Sequence, residues 1–313
     1  MPNIWTHLIF GEELVGQAGL SGMLGDSNLQ RVFRMGCQGP DFLFYHRFLP
    51  WQKGKGLPAL GSAMHAEACG PYVLELLQQL QGRPLYNPAV VFALGFITHH
   101  ILDRNMHPYI FYKSGFKKWN HQRFEIAVDT LVVRARLGLE TWKTPVWKLL
   151  DAGPALPLGL AAAMNTAAHK LYPQLAAGLT EADWNEAYRD MLRAQRLFHD
   201  PHGVKRALTF GYIAPLVYTR KLPGLDYLNE SRSVWNCPTS QDEVYDSSIW
   251  DLWDRALADG RTVLEQAVRA LQSGKPVADT DYEPFMQALG NRSYETGKPC
   301  ESGARIVYVN PIL

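Results

Sequence analysis

The sequence predicts an all-α protein, and three observations carry that prediction. Apolar residues recur three and four apart through much of the chain. Glycine and proline fall between those stretches, where helices stop and start. The ionisable residues of 95–130 also sit at helical spacing. His99, Asp103 and His107 fall at i, i+4 and i+8, and His121 and Glu125 are again four apart, with Asp129 one turn further on.

Taken in order, the first helix carries His7 with Leu8, Leu14 and Val15 on its apolar side. Residues 36–50, GCQGPDFLFYHRFLP, form a glycine- and proline-marked loop in which Asp41 either caps the following turn or is carried inward by Phe42 and Phe44. Residues 51–60, with Lys53 and Lys55, read as an exposed flap. A helix is expected over 62–81, with His65 in its first turn and Leu74, Leu76, Leu77 and Leu80 buried. Gly82 and Pro84 end it, and Pro88 suits the first turn of the next helix. Pro108 is expected to end that helix and leave His107 at its terminus. Further helices are expected at 157–171, 180–198, 203–218, 248–272 and 281–288. Between them, 224–248 is a long polar and aromatic loop whose Asn229 and Trp235 are candidate substrate contacts.

The 313 residues suffice for one large domain or two small ones, and 47% hydrophobic residues suffice for a core. Residues 1–140 read as a metal-binding helical core, and 141–313 as a helical remainder packed on the same domain and able to supply a substrate lid. A net charge of +1 gives no polyelectrolyte signature for nucleic acid. The four cysteines are scattered and read as free thiols in a reducing compartment. No secretory signal is legible in MPNIWTHLIFGEELVG, and the longest apolar runs are too short to span a bilayer, so a cytoplasmic protein with no transmembrane segment is expected.

The chemistry concentrates in 95–130. One His-x3-Asp pair is ordinarily a surface ion pair. Two in succession on helices rich in apolar residues would cost several kcal/mol unless compensated. A divalent metal is the simplest compensation, because neutral imidazole and carboxylate are the donors zinc and its neighbours accept. His100 points about 100° from His99 and is expected, with Asp129, behind the ligands rather than among them.

Trp5-Thr6-His7, Pro40-Asp41, His65, His99-x3-Asp103 with His107-Pro108, and His121-x3-Glu125 with Val128-Asp129-Thr130 resemble, in order and rough spacing, bacterial zinc-dependent phospholipase C and its fungal S1/P1-type nuclease relatives. The resemblance covers about residues 3–135. It implies a multi-helix bundle holding a cluster of two or three Zn2+ ions, or other divalent transition metals, that hydrolyses phosphoester bonds with metal-activated water. Carried over by position, Asp41, His65, His99 and Asp103 would hold one metal and His107, His121 and Glu125 a second. His7 would join a third through Asp103, and Asp41 could instead accept the attacking water's proton. The chain departs from the pattern in two places. Trp5, whose counterpart in secreted members is the mature N-terminus, follows four residues here, and the spacer between Asp103 and His107 is shorter.

The expected function is therefore a metal-dependent phosphodiesterase acting on a phospholipid head group or another small phosphoester. Its alternatives are a non-catalytic metal-binding helical protein and an HD-type metal phosphohydrolase. Against the last, the only His-Asp dipeptide, His199-Asp200, lies in a proline-marked turn far from the other donors.

Overall fold

The computed structural model describes residues 3–54, 56–272 and 282–313. Its helices are α1 (Ile4–Gln17), α2 (Ser27–Gly36), α3 (Leu57–Ala66), α4 (Cys69–Gln79), α5 (Pro88–Ser114), α6 (Asn120–Leu137), α7 (Trp147–Leu150), α8 (Leu160–Leu171), α9 (Pro173–Ala176), α10 (Glu181–Phe198), α11 (Val204–Leu208), α12 (Ile249–Gln272) and α13 (Glu283–Leu289). Among the described residues the only strands are a two-residue antiparallel pair, Trp235–Asn236 with Val244–Tyr245. The all-α expectation therefore holds.

The centre of the bundle is α5. Asn87 caps its start by accepting from the Ala89 N–H, Pro88 occupies its first turn, and Gly115 ends it at φ 67°. It is buried nearly all round, as a helix enclosed by others must be. α1, α2, α6 and α12 pack against it. α2 comes closest, because Gly36 and Gly95 carry no side chain. A Cβ on Gly36 would lie 2.2 Å from the Phe92 carbonyl oxygen, and one on Gly95 would lie 2.4 Å from that of Phe33. α12 is fastened by a buried guanidinium: Arg104 pairs with Asp259 through two contacts of 2.6 and 2.8 Å and donates to the Leu289 carbonyl.

Three expectations about helix limits are corrected. α5 does not end at His107 but runs through Pro108 to Ser114. A proline there leaves the Arg104 carbonyl without its helical N–H. The backbone of Gly297 packs on that carbonyl so closely that a Cβ would sit 2.3 Å from it. The expected helix over 62–81 is two helices, broken at Glu67 and at Ala68 with φ 46°, so His65 lies in the last turn of α3 rather than in a first turn. The Glu67 carbonyl at the break accepts from Tyr172 Oη at 2.6 Å. Third, the helix expected over 203–218 is only the short α11, followed by turns at Phe210 (φ 49°) and Gly211 (φ 80°), because nothing on α11 is buried to hold it longer. Lys55 of the flap and Asp281, the expected start of the last helix, lie outside the described residues.

Candidate metal centre

Five elements aim side chains at one point inside the bundle. On α5, His99, Asp103 and His107 advance by about 40° per step and share a buried face. Asp103 is the hub. Its Oδ2 lies 3.0 Å from His99 Nε2, and its Oδ1 lies 3.3 Å from His7 Nε2 of α1 and 3.7 Å from His107 Nε2. The end of α3 brings His65 Nε2 to 3.2 Å from Asp41 Oδ1, which is itself 3.8 Å from His99 Nε2. On α6, His121 Nε2 meets Glu125 Oε1 at 2.7 Å, and that oxygen is 3.9 Å from His107 Nε2. Asp41 arrives on a 3-10 turn at 39–45 that lies directly on the His99 ring. Gly39, at φ 50°, makes this possible, since a Cβ there would fall 2.3 Å from His99 Cδ2.

The donor atoms gather into three sets, each within 4.8 Å: His7, Asp41 and His99; His65, His99 and Asp103; and His107, His121 and Glu125. The first two share His99, and Asp103 stands between them and the third.

The hydrogen bonds on the far side of the rings state what these sets can accept. His65 Nδ1 is 2.7 Å from the Gly61 carbonyl, His99 Nδ1 3.0 Å from that of Cys37, and His107 Nδ1 2.9 Å from that of Tyr294. A carbonyl only accepts, so each Nδ1 carries the proton and, in the neutral ring, each Nε2 presents a lone pair inward. What those lone pairs face is carboxylate oxygen, which also only accepts. His99 Nε2, His107 Nε2, both Asp103 oxygens and Asp41 Oδ1 are buried without a hydrogen-bond partner. Acceptors converging on acceptors in a dry interior fit a cation and little else.

Burial favours the neutral ring at His7 and His107. Burial lowers the pKa of His7 to about 4, with His99 adding to the effect and Asp103 and Asp41 opposing it. Burial likewise holds His107 well below the usual imidazole range. His99 is raised instead: burial pulls it down, and the carboxylates of Asp103 and Asp41 more than offset that. Solvent reaches the donors mainly at Asp41 and His121, whose side chains are 12% and 28% exposed, against 0–3% for the rest.

Residues 6–193 match the zinc dependent phospholipase C family over more than half of the chain. The chain belongs to that family. Neither the curated proteins nor the solved structures gave a match. Membership of the phospholipase C family makes this a metal-dependent phosphoester hydrolase family with zinc as its metal. The matched residues include every donor named above. Among the described residues no helix is long and apolar enough to cross a membrane.

Outside the donor sets, His100 turns away from them: its Nε2 meets the Arg292 carbonyl at 2.7 Å and its ring stacks on Tyr294 at 4.2 Å. Asp129 lies behind His7. It accepts from Trp5 N at 3.0 Å, Thr6 N at 2.8 Å, and the hydroxyls of Thr6 and Tyr218 at 2.5 Å each. These bonds serve the first-turn N–H groups of α1, which has no cap of its own, and so fix the helix that carries His7.

Two expected substrate contacts are not at the site. The Asn229 amide is buried and donates to the carbonyls of Ser233, Asp246 and Ser247, holding its loop in shape. Trp235 is also buried, donating to the Ser247 carbonyl and packing on Tyr109 and Tyr112, which leave α5 on the side away from Asp103. His46 and Arg47 are engaged with Glu186 of α10. Asp200 of the His-Asp dipeptide accepts from the N–H groups of Lys205 and Arg206 and caps a turn.

Sequence reasoning missed the turn at 291–297. Besides the Tyr294 carbonyl on His107 and the Arg292 carbonyl on His100, Tyr294 N and Ser293 Oγ donate to the His65 carbonyl at 2.9 and 3.1 Å. The Tyr294 ring also lies 5.0 Å from that of His65.

Proposed function

We propose that this protein is a phospholipase C-like phosphodiesterase in which residues 1–140 hold the metal set and 141–313 pack on the same domain. Asp41, His65, His99 and Asp103 would hold one ion, and His107, His121 and Glu125 a second. His7, 3.3 Å from Asp103, would join a third. The observation that carries this reading is the convergence of inward lone pairs and unpartnered carboxylate oxygens at Asp103.

Bound zinc supplies positive charge for a phosphoryl oxygen and lowers the pKa of water. The chain's own residues do the rest. Carbonyls behind the rings of His65, His99 and His107 fix their tautomers, so the donors need no rearrangement during turnover. Asp41, the carboxylate of the set most open to solvent, would take the proton of the water that attacks phosphorus in line with the leaving oxygen. The substrate class this supports is a small phosphodiester, with a phospholipid head group as the member the family favours.

The test joins two readings on one sample: zinc per chain by plasma mass spectrometry, and hydrolysis of bis-p-nitrophenyl phosphate. Two or three zinc ions with turnover support the proposal. Bound zinc without turnover on this or any phosphodiester would make the centre structural, since a structural ion is coordinatively closed. No uptake of zinc, manganese or iron would overturn the reading.

A further inference from the structure

We propose that Cys69 and Cys300 are a redox-reversible dithiol whose disulfide fastens the turn at 291–300 onto α4 and thereby braces the histidines that the turn supports. The two sulfurs lie 3.6 Å apart across 231 residues of sequence. The other two cysteines face no thiol: Cys37 Sγ is 3.4 Å from the Thr98 hydroxyl and Cys237 Sγ 3.1 Å from that of Thr239. A disulfide of about 2.05 Å requires the Cys69 and Cys300 sulfurs to close by only about 1.5 Å, within the reach of small side-chain rotations.

The backbone on both sides of the pair is already in register. Cys300 N donates to the Asn291 carbonyl at 2.9 Å, and Gly70 N donates to the Asn291 side chain at 3.3 Å. Gly70 abuts Gly290 so closely that a Cβ would lie 2.1 Å from its carbonyl oxygen. Within the turn, Arg292 and Pro299 form an antiparallel bridge. Beyond it stand the contacts already described, to His100, His107 and the His65 carbonyl. The cross-link would therefore close one side of a frame whose other side is the metal centre.

The chemistry balances with a disulfide such as oxidised glutathione as oxidant. Cys300, the more exposed of the two, attacks as thiolate and forms a mixed disulfide, releasing one glutathione thiolate. Cys69 then loses its proton and attacks the Cys300 sulfur, releasing the second. Two protein thiols are oxidised and one glutathione disulfide is reduced.

The experiment treats the purified full chain with oxidised glutathione, alkylates it, and reads intact mass and peptide map, independently of zinc or turnover. The expected result is two alkyl groups taken up instead of four, a protein mass beneath them lower by two hydrogens, and one cross-linked peptide joining Cys69 to Cys300. Reduction by dithiothreitol should restore all four. Cys69→Ser should trap glutathione on Cys300, whereas Cys237→Ser should leave the cross-link intact. For a loop this long the melting midpoint should rise on oxidation by about 5 °C, and zinc loss to a chelator should slow by about tenfold. Four persisting thiols, a wild-type glutathione adduct on Cys300 that never resolves, or a cross-link to Cys37 or Cys237 would overturn the dithiol. A disulfide that forms without slowing zinc loss would overturn its coupling to the centre.

Discussion

Replacing Asp103 by Asn tests the centre at its hub, because it alters one atom of a side chain that is fully buried. Among the described residues Asp103 is the one carboxylate whose oxygens reach three imidazoles, at 3.0, 3.3 and 3.7 Å. Each ligand set lies within 4.8 Å, so a cation among these donors sits closer to the carboxylate than that. At such a distance a pair of unit charges is worth about 4 kcal/mol at an effective dielectric of 20, and a dication about twice as much. Part of that gain is already offset by the cost of burying the carboxylate. A net loss of about 3 kcal/mol, or about 100-fold in zinc affinity, is the conservative expectation. At a zinc concentration 100 times the wild-type Kd, ligand-linked stabilisation should then fall from about 2.7 to about 0.4 kcal/mol. Thermal unfolding with and without zinc, metal analysis and turnover read all of this together. Full zinc content and full turnover in Asp103→Asn protein would refute the assignment of the hub.

Asp41→Asn should lower kcat by about 100-fold or more while lowering zinc affinity less than Asp103→Asn does; zinc loss as deep as that of Asp103→Asn would leave Asp41 the role of ligand alone, without that of proton acceptor. Asn229→Ala should cost about 1–3 kcal/mol in urea unfolding, since three carbonyls lose their donor, and leave KM for a small phosphodiester within twofold; a raised KM would restore Asn229 to the substrate site. Asp129 gives a pH signature. Burial raises its pKa from 3.8 to about 6, although four donors favour the charged form. The folded apoprotein thus keeps a proton that the unfolded chain has already lost, so the stabilisation is complete below about pH 4 and disappears as pH rises through about 6. The swing is on the order of 3 kcal/mol. Subtracting the Asp129→Asn stability profile from that of the wild type should show this fall; a flat difference between pH 4 and 7 would refute it.

The donors were legible because their signal is local. Residues four apart on one helix share a face whatever surrounds them, so His99, Asp103, His107, His121 and Glu125 could be set side by side before any packing was known. The same local rule misled at Pro108, where the disfavoured helical continuation is met by the close backbone of Gly297, nearly two hundred residues further along. It misled again at His65. Gly70-Pro71 in the first turn of α4 is the local sign of the break, and the distant hydroxyl of Tyr172 helps hold it. For Asn229 and Trp235 the length of the loop suggested a substrate-contacting element, but its amide and indole turn inward and bind its own carbonyls.

The C-terminal turn was illegible for a different reason. It acts on His100 and His107 through the backbone carbonyls of Arg292 and Tyr294, a group every residue possesses, so no choice of residue type could announce it. The matched family region stops at 193 and contains all the donors, whereas this brace lies wholly beyond it. For His107, then, ligand identity and ligand orientation are encoded in different parts of the chain, whereas His65 and His99 are oriented by Gly61 and Cys37 within the matched region. A truncation before Tyr294 would keep every candidate ligand and yet release His107 Nδ1 from the acceptor that sets its tautomer.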